Sequence, residues 1–291
     1  MFRVTQFSDL HVRTEPAGFG PDTDESWSAV RDDAFARDRP TPDMVVVTGD
    51  IADTGAPAEY EKVGRALAGL PAPVQLLPGN HDRQVPFEAI LPRPGLSTGR
   101  TLRVGPWLFL FADSNHDGRV TTDSGGVTDR DDRTHRDGRF GPAEAAWIVE
   151  TIAASDADHA FLWTHHPPNG FGMFESPALE AEAAEIVRAA PALRGLGVGH
   201  SHTTAVLDLH GVPVHQCPSL STNVNHTSFV TIPPGYRTYE FADDGSIATE
   251  VHVVEDERWP SWELPEPGRR YVSGEIDLEQ MQEELGRIWN E

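Results

Sequence analysis

The stretch GLGVGHSHTT, residues 195–204, ends a glycine-rich apolar run with two histidines one residue apart. The run reads as a buried strand, so His200 and His202 fall at and just past its carboxyl end. In an extended segment residues i and i+2 point to the same side, and both imidazoles are then expected to face one spot. Paired imidazoles facing one spot suggest a metal, whereas an isolated H-x-H is as readily a surface turn. The rest of the chain decides between them.

Similar short apolar runs bounded by turn residues are FRVTQFS (2–8), DMVVVTGD (43–50), VQLLPGN (74–80), WLFLFAD (107–113) and AFLWTHH (160–166), each with the character of a buried strand. Helical spacing fills 25–38, 57–69, 142–154 and 178–190, with Pro142 suited to the first turn of the third. Strands alternate with helices, so the first two-thirds is α/β. From about residue 204 the pattern becomes antiparallel, with DDGS (243–246) marking a hairpin, so a mixed sheet is expected. RWPSWELPEPGRR (258–270) reads as a linker, and Leu278, Met281, Leu285, Ile288 and Trp289 form an apolar stripe on a short terminal helix. One main domain is expected over 1–255. Residues 256–291 are then a linker and a helix that packs on that domain or on the partner subunit of a homodimer.

With 23 Lys and Arg against 46 Asp and Glu, the formal charge is −23. Nucleic-acid polymers and anionic membranes would be repelled, so neither is expected as a partner. The single cysteine, Cys217, excludes an intramolecular disulfide framework and a cysteine-rich zinc ribbon. A metal here must use His, Asp, Glu and Asn. MFRVTQFSDLH has no secretory pattern and no stretch is apolar enough to span a bilayer, so a cytoplasmic location is expected.

The polar clusters sit where strands end: Asp9 and His11 in FSDLH, Asp50 in VVVTGD, Asn80 and His81 in LLPGNHD, His165 and His166 in LWTHHPP, and His200 and His202. Ligands bind at the carboxyl ends of strands in α/β sheets. Oxygen donors mixed with imidazoles suit Mn, Fe or Zn, and the supply is enough for two ions.

In that order, Asp-x-His, Gly-Asp, Gly-Asn-His-Asp, His-His-Pro-Pro and Gly-His-Ser-His resemble the signature of the calcineurin-like metallophosphoesterase superfamily. The resemblance covers about residues 2–220. It implies a four-layer αββα sandwich with two divalent metals at one edge of its two sheets, here followed by the antiparallel section and terminal helix. Carried over, it implies that Asp9, His11 and His202 hold one metal and Asn80, His165 and His200 the other, with Asp50 bridging. His81 would face the phosphate as the catalytic residue, and His166, beside a ligand histidine, would support the ligands from behind or have a structural role. Two divalent ions less two carboxylates and a bridging hydroxide leave about one positive charge, which attracts a phosphate locally.

Asp53 stands where purple acid phosphatases carry a tyrosine, which argues against an iron(III)–tyrosinate centre. THHPP and GHSHTT, with HRDGRFGPAEAAWI (135–148) upstream, resemble the bacterial class III cyclic-nucleotide phosphodiesterases and related glycerophosphodiesterases. The expected activity is hydrolysis of small phosphodiesters such as 3',5'-cyclic nucleotides by a metal-bridging hydroxide. The alternatives are a glycerophosphodiesterase or phosphomonoesterase with the same centre, and a non-catalytic scaffold of the same fold. The Asp-, Arg- and Gly-rich stretch 113–141 reads as a solvated loop, with a substrate lid as the alternative.

Overall fold

The computed structural model describes residues 1–15, 22–115, 119–121, 127–129 and 138–289; much of the 113–141 stretch therefore lies outside the described residues. The chain runs β1 (Phe2–Phe7), α1 (Thr23–Ala34), β2 (Met44–Thr48), α2 (Pro57–Ala68), β3 (Val74–Leu77), α3 (Gln84–Ile90), β4 (Leu96–Ser97), β5 (Thr101–Val104), β6 (Trp107–Phe111), β7 (Arg119–Thr121) and β8 (Val127–Asp129). It continues α4 (Gly141–Ala154), β9 (His159–Trp163), α5 (Pro177–Ala189), β10 (Leu193–Val198), β11 (Val206–Leu209), β12 (Val212–Gln216), β13 (Asn223–Asn225), β14 (Val230–Ile232), β15 (Gly235–Phe241), β16 (Ile247–Val253), α6 (Glu266–Val272) and α7 (Leu278–Trp289).

Two six-stranded sheets form, in the orders β16-β15-β1-β2-β3-β4 and β11-β12-β10-β9-β6-β5. In the first, β1 to β4 are parallel and the β15–β16 hairpin adds antiparallel strands beside β1. In the second, β12, β10, β9 and β6 are parallel, between antiparallel edges β11 and β5. Both sheets are mixed.

The continuous apolar runs are explained by burial on both faces. Val45 and Val47 of β2 pack outward with Val30 of α1 and Val63 and Leu67 of α2, while Met44 and Val46 point the other way. On the second sheet Leu108, Leu110 and Leu162 pack outward with Ile148 and Ile152 of α4 and Leu179 and Ile186 of α5. Between the sheets, Met44 and Val46 meet Trp107, Phe109, Phe111, Phe161 and Trp163. Helices therefore cover the outer faces of a two-sheet core, the expected αββα sandwich. Phe161 and Trp163 have ring centroids 4.7 Å apart, and Trp163 meets Tyr239 edge-on at 5.1 Å. Such pairs add about 0.5–1.5 kcal/mol each beyond their area.

The supposed linker contains a helix. α6 begins after Pro265, with Pro267 in its first turn, where a missing N–H costs nothing. Val272 then buries against Val224 and Leu264, so the segment is packed and not merely crossing the surface. The terminal helix is present as α7, next to α6, and Arg270 of α6 pairs with Glu284 of α7 at 2.9 Å.

Candidate metal centre

Because β1, β2 and β3 are parallel neighbours in one sheet and β9 and β10 in the other, the loops leaving their carboxyl ends emerge side by side. The loops after β1 and β2 are cross-linked by Asp9 N–H to Gly49 O at 3.0 Å and His11 N–H to Asp50 O at 2.9 Å. Buried Gln6 donates to Thr48 Oγ1 of its own sheet at 2.7 Å and, across the sandwich, to Val198 O at 3.1 Å, while His200 N–H donates to the Asp9 carboxylate at 3.0 Å. The two sheets are thus pinned together beneath the site.

The i, i+2 argument for an extended strand needs correction. Asp9 and His11 lie beyond β1, and His200 and His202 beyond β10, and all four have left-handed backbone, with φ of 51°, 44°, 67° and 48°. Asp50 shares this at 48°. Among the described non-glycine residues with positive φ, these five are candidate ligands and only His210 and Phe229 are not. Left-handed backbone at such residues costs energy and persists where surrounding structure imposes it, most often at functional sites. The side chains converge because the backbone coils, not because it is extended.

Glycines make room for the convergence. A Cβ on Gly79 would lie 2.2 Å from Asp50 Oδ1, and one on Gly199 would lie 1.9 Å from Ser8 Oγ and 2.7 Å from Asp9 Oδ2. The glycine before Asn80 and the glycine before His200 are therefore required by close approach.

Two halves of the site are resolved. In one, Asp9, His11 and His202 offer ligand atoms within 4.8 Å of one another; His202 Nε2 lies 3.3 Å from Asp9 Oδ1 and 3.3 Å from His11 Nε2. In the other, His165 Nε2 lies 3.0 Å from Asn80 Oδ1, and His200 stands with His165 and His166 in a group of the same tightness. Asp50 faces both, with Oδ2 3.6 Å from His11 Nε2 and Oδ1 3.5 Å from His165 Nε2. All seven residues named as ligands meet at one place. His81 joins them, grouped with His11 and Asp50, its backbone N–H donating to Asp50 Oδ1 at 2.8 Å. His166 stands directly beside His165 and His200: its Nδ1 pairs with Ser114 Oγ at 2.7 Å and its Nε2 is buried without a hydrogen-bond partner.

The donor set fits metal ions. His165 Nδ1 donates to Thr48 O at 2.7 Å, His202 Nδ1 to Thr222 O at 2.7 Å, and His11 Nδ1 pairs with Asp53 Oδ1 at 3.1 Å. With each Nδ1 so engaged, a neutral ring presents the lone pair of Nε2 inward, the usual arrangement behind a metal-ligating histidine. Where both rings are neutral in this way, the Nε2 lone pairs of His11 and His202, 3.3 Å apart, face each other with no proton between them. A shared cation satisfies both. The buried Nε2 of His200 likewise has no hydrogen-bond partner.

Electrostatics agree. Burial pushes Asp50 upward, but His165, His81 and His11 outweigh it and hold the carboxyl well below its ordinary range. Burial, with His166 and His165 close by, holds His200 well below the ordinary imidazole value and so neutral. Burial opposes the charge of His165, yet Asp50 and Asp9 lift it to about 9.

Two carboxylates that the sequence left unassigned organise the centre. Asp53 orients His11, accepts from Arg13 Nη2 at 3.1 Å, and offers its backbone O to His81 Nδ1 at 2.8 Å. Asp82 accepts from the N–H groups of Ile51, Ala52 and Gly79 and from Tyr60 Oη, tying the loops after β2 and β3 together. A carboxylate in a turn reads the same whether it caps backbone amides or steers a ligand, so only the GNHD context marked Asp82. Asp53→Ala is expected to weaken metal affinity about 10–100-fold with the fold intact, measured by calorimetric titration of Mn²⁺. Unchanged affinity would remove Asp53 from the orienting role.

Comparison with known proteins gives the same picture. The E. coli K12 3',5'-cyclic adenosine monophosphate phosphodiesterase CpdA is 28% identical over 268 residues, covering 88% of this chain and 91% of that protein. The glycerophosphodiester phosphodiesterase GpdQ of Enterobacter lignolyticus is 25% identical over 237 residues, covering 77% of each. A dimetal phosphatase structure from Danio rerio matches with a TM-score of 0.59 at 12% identity, over 87% of this chain and 99% of that one, which is a likeness of fold. The calcineurin-like phosphoesterase model matches residues 2–204, and with the five strand-end motifs gathered at the edge of an αββα sandwich, the chain belongs to the calcineurin-like phosphoesterase family.

Proposed function

We propose that this protein hydrolyses small phosphodiesters, with 3',5'-cyclic nucleotides as the preferred class, at a centre of two divalent metals. The observation that carries the reading is Asp50, whose two carboxylate oxygens face opposite halves of the site. Asp9, His11 and His202 would hold one ion and Asn80, His165 and His200 the other. Mn, Fe or Zn suits this set of carboxylates, amide oxygen and imidazoles. Such ions, when bound, activate water at neutral pH and offset phosphoryl charge during in-line displacement.

The chain's own groups do the rest. Asn80 is a neutral ligand, so it leaves the local excess of positive charge that draws in an anion. His81 is held by the Asp53 carbonyl through Nδ1, which leaves Nε2 to meet a phosphoryl or leaving oxygen. In its imidazolium form it can donate a proton there as the ester bond breaks. Asp53 fixes His11 and His81 together, so one residue aligns a ligand and the proton donor.

The 28% identity to a cyclic AMP phosphodiesterase supports the cyclic-nucleotide reading, and the 25% identity to a glycerophosphodiesterase supports a second one on glycerol diesters. A diester carries one negative charge and a monoester nearly two, so a site with about one excess positive charge gains little from the second. The test is kcat/KM for 3',5'-cyclic AMP, a glycerophosphodiester, p-nitrophenyl phosphate and a DNA oligomer. Diesters should lead and the oligomer should trail, given the −23 charge. A tenfold or greater preference for the monoester, about 1.4 kcal/mol in transition-state binding, would contradict the proposal.

A further inference from the structure

A line of aromatic rings leads away from the metal centre. Phe174 meets His200 edge-on, with centroids 5.2 Å apart, and lies parallel to His226 at 5.4 Å with a 5° interplanar angle. His226 in turn meets Phe171 at 6.0 Å and 30°. Phe171 is 49% exposed, one of few large apolar side chains so open to solvent among the described residues. Two ring contacts thus connect candidate ligand His200 to His226, and a third reaches the exposed ring of Phe171.

The line is rigidly backed. Phe171 precedes a 3-10 turn, Gly172–Phe174, whose Gly172 has φ +57° and packs so closely on α6 that a Cβ would meet Val272 O at 2.4 Å. Val272 belongs to the small core with Val224 and Leu264, which also packs against Phe229 and Tyr271. Residues 169–174 and 224–229, which carry the rings, are therefore held by the C-terminal segment. This places α6 behind the two ring-bearing segments.

A single exposed aromatic residue is ordinary. One that ends a row of rings starting at a metal-ligand candidate is different, because a substrate whose phosphate sits at the metals must extend over the neighbouring surface. Planar heterocycles stack on aromatic rings with little dependence on base identity. A glycerol group has no flat face to offer.

We propose that Phe171, with the stacked Phe174–His226 pair behind it, seats the base of a nucleotide diester and favours it over glycerol-based diesters. The proposal rests on the diesterase reading above and adds the selecting surface. Phe171→Leu keeps an apolar side chain and removes the π face, whereas Phe171→Trp keeps the face. The ratio of kcat/KM for 3',5'-cyclic AMP to that for glycerophosphoethanolamine is expected to fall about tenfold in Phe171→Leu, through KM, and to stay within about threefold in Phe171→Trp. A ratio unchanged in Phe171→Leu, or lowered equally in both variants, would overturn the proposal and leave the diesterase reading standing. Should the wild type hydrolyse neither diester, the diesterase reading falls, and binding of 5'-AMP to the metal-loaded protein by calorimetry decides the seat separately. About tenfold weaker binding by Phe171→Leu than by the wild type supports it; equal binding, or none by the wild type, refutes it.

Discussion

Replacing His81 by alanine is expected to cost about 10²–10⁴ in kcat while both metal positions stay loaded, the range for loss of a positioned acid or donor. The backbone N–H of residue 81, which holds Asp50 Oδ1 at 2.8 Å, survives the substitution, so the shared carboxylate keeps its orientation. What disappears is the ring that Asp53 O aims from 2.8 Å. Asn80→Ala is the contrasting variant. It removes an oxygen 3.0 Å from His165 Nε2 and should lower metal content along with rate. Metal analysis of the two purified variants beside single-turnover rates separates the roles, and a His81→Ala protein as metal-poor as Asn80→Ala would make His81 a ligand.

Asp50→Asn should be at least as severe, on the order of a 10³-fold loss or more, and for a different reason. Asp50 is the residue whose oxygens face both His11 and His165. An amide of the same shape keeps one oxygen, loses the negative charge, and turns an N–H₂ group toward one half of the site. Both ions should then bind weakly, where Asn80→Ala weakens chiefly one. Calorimetric titration with Mn²⁺ checks this, and a variant that loses only one site would deny Asp50 the bridging position.

The parts of the molecule governed by local pattern were legible in the chain. Runs such as Met44–Thr48 and Trp107–Phe111 are apolar on both faces because each lies between a helix layer and the opposing sheet. The order of strand-end motifs likewise marked the seven candidate ligands and His81, whereas Asp53 and Asp82, which tie the same loops together, went unassigned. Left-handed backbone at Asp9, His11, Asp50, His200 and His202 was not legible, since it is imposed by contacts between loops far apart in the chain, such as His200 N–H with Asp9, 191 residues away. Helix α6 was hidden by prolines that suit a first helical turn as well as a linker. The partnership of Phe171 and Phe174 with His226 depends on tertiary closure across more than fifty residues, which no local signal encodes.

The central claim is that Asp9, His11, Asp50, Asn80, His165, His200 and His202 form one centre for two ions, and its most direct test is metal stoichiometry joined to activity. The protein is stripped with a chelator, confirmed folded by circular dichroism, and titrated with Mn²⁺ while bound metal and diester hydrolysis are followed together. The account predicts no hydrolysis when stripped, two ions bound per chain at saturation, and activity that returns with the second ion. Full hydrolysis by the stripped, folded protein, or saturation at fewer than two ions per chain, would contradict it.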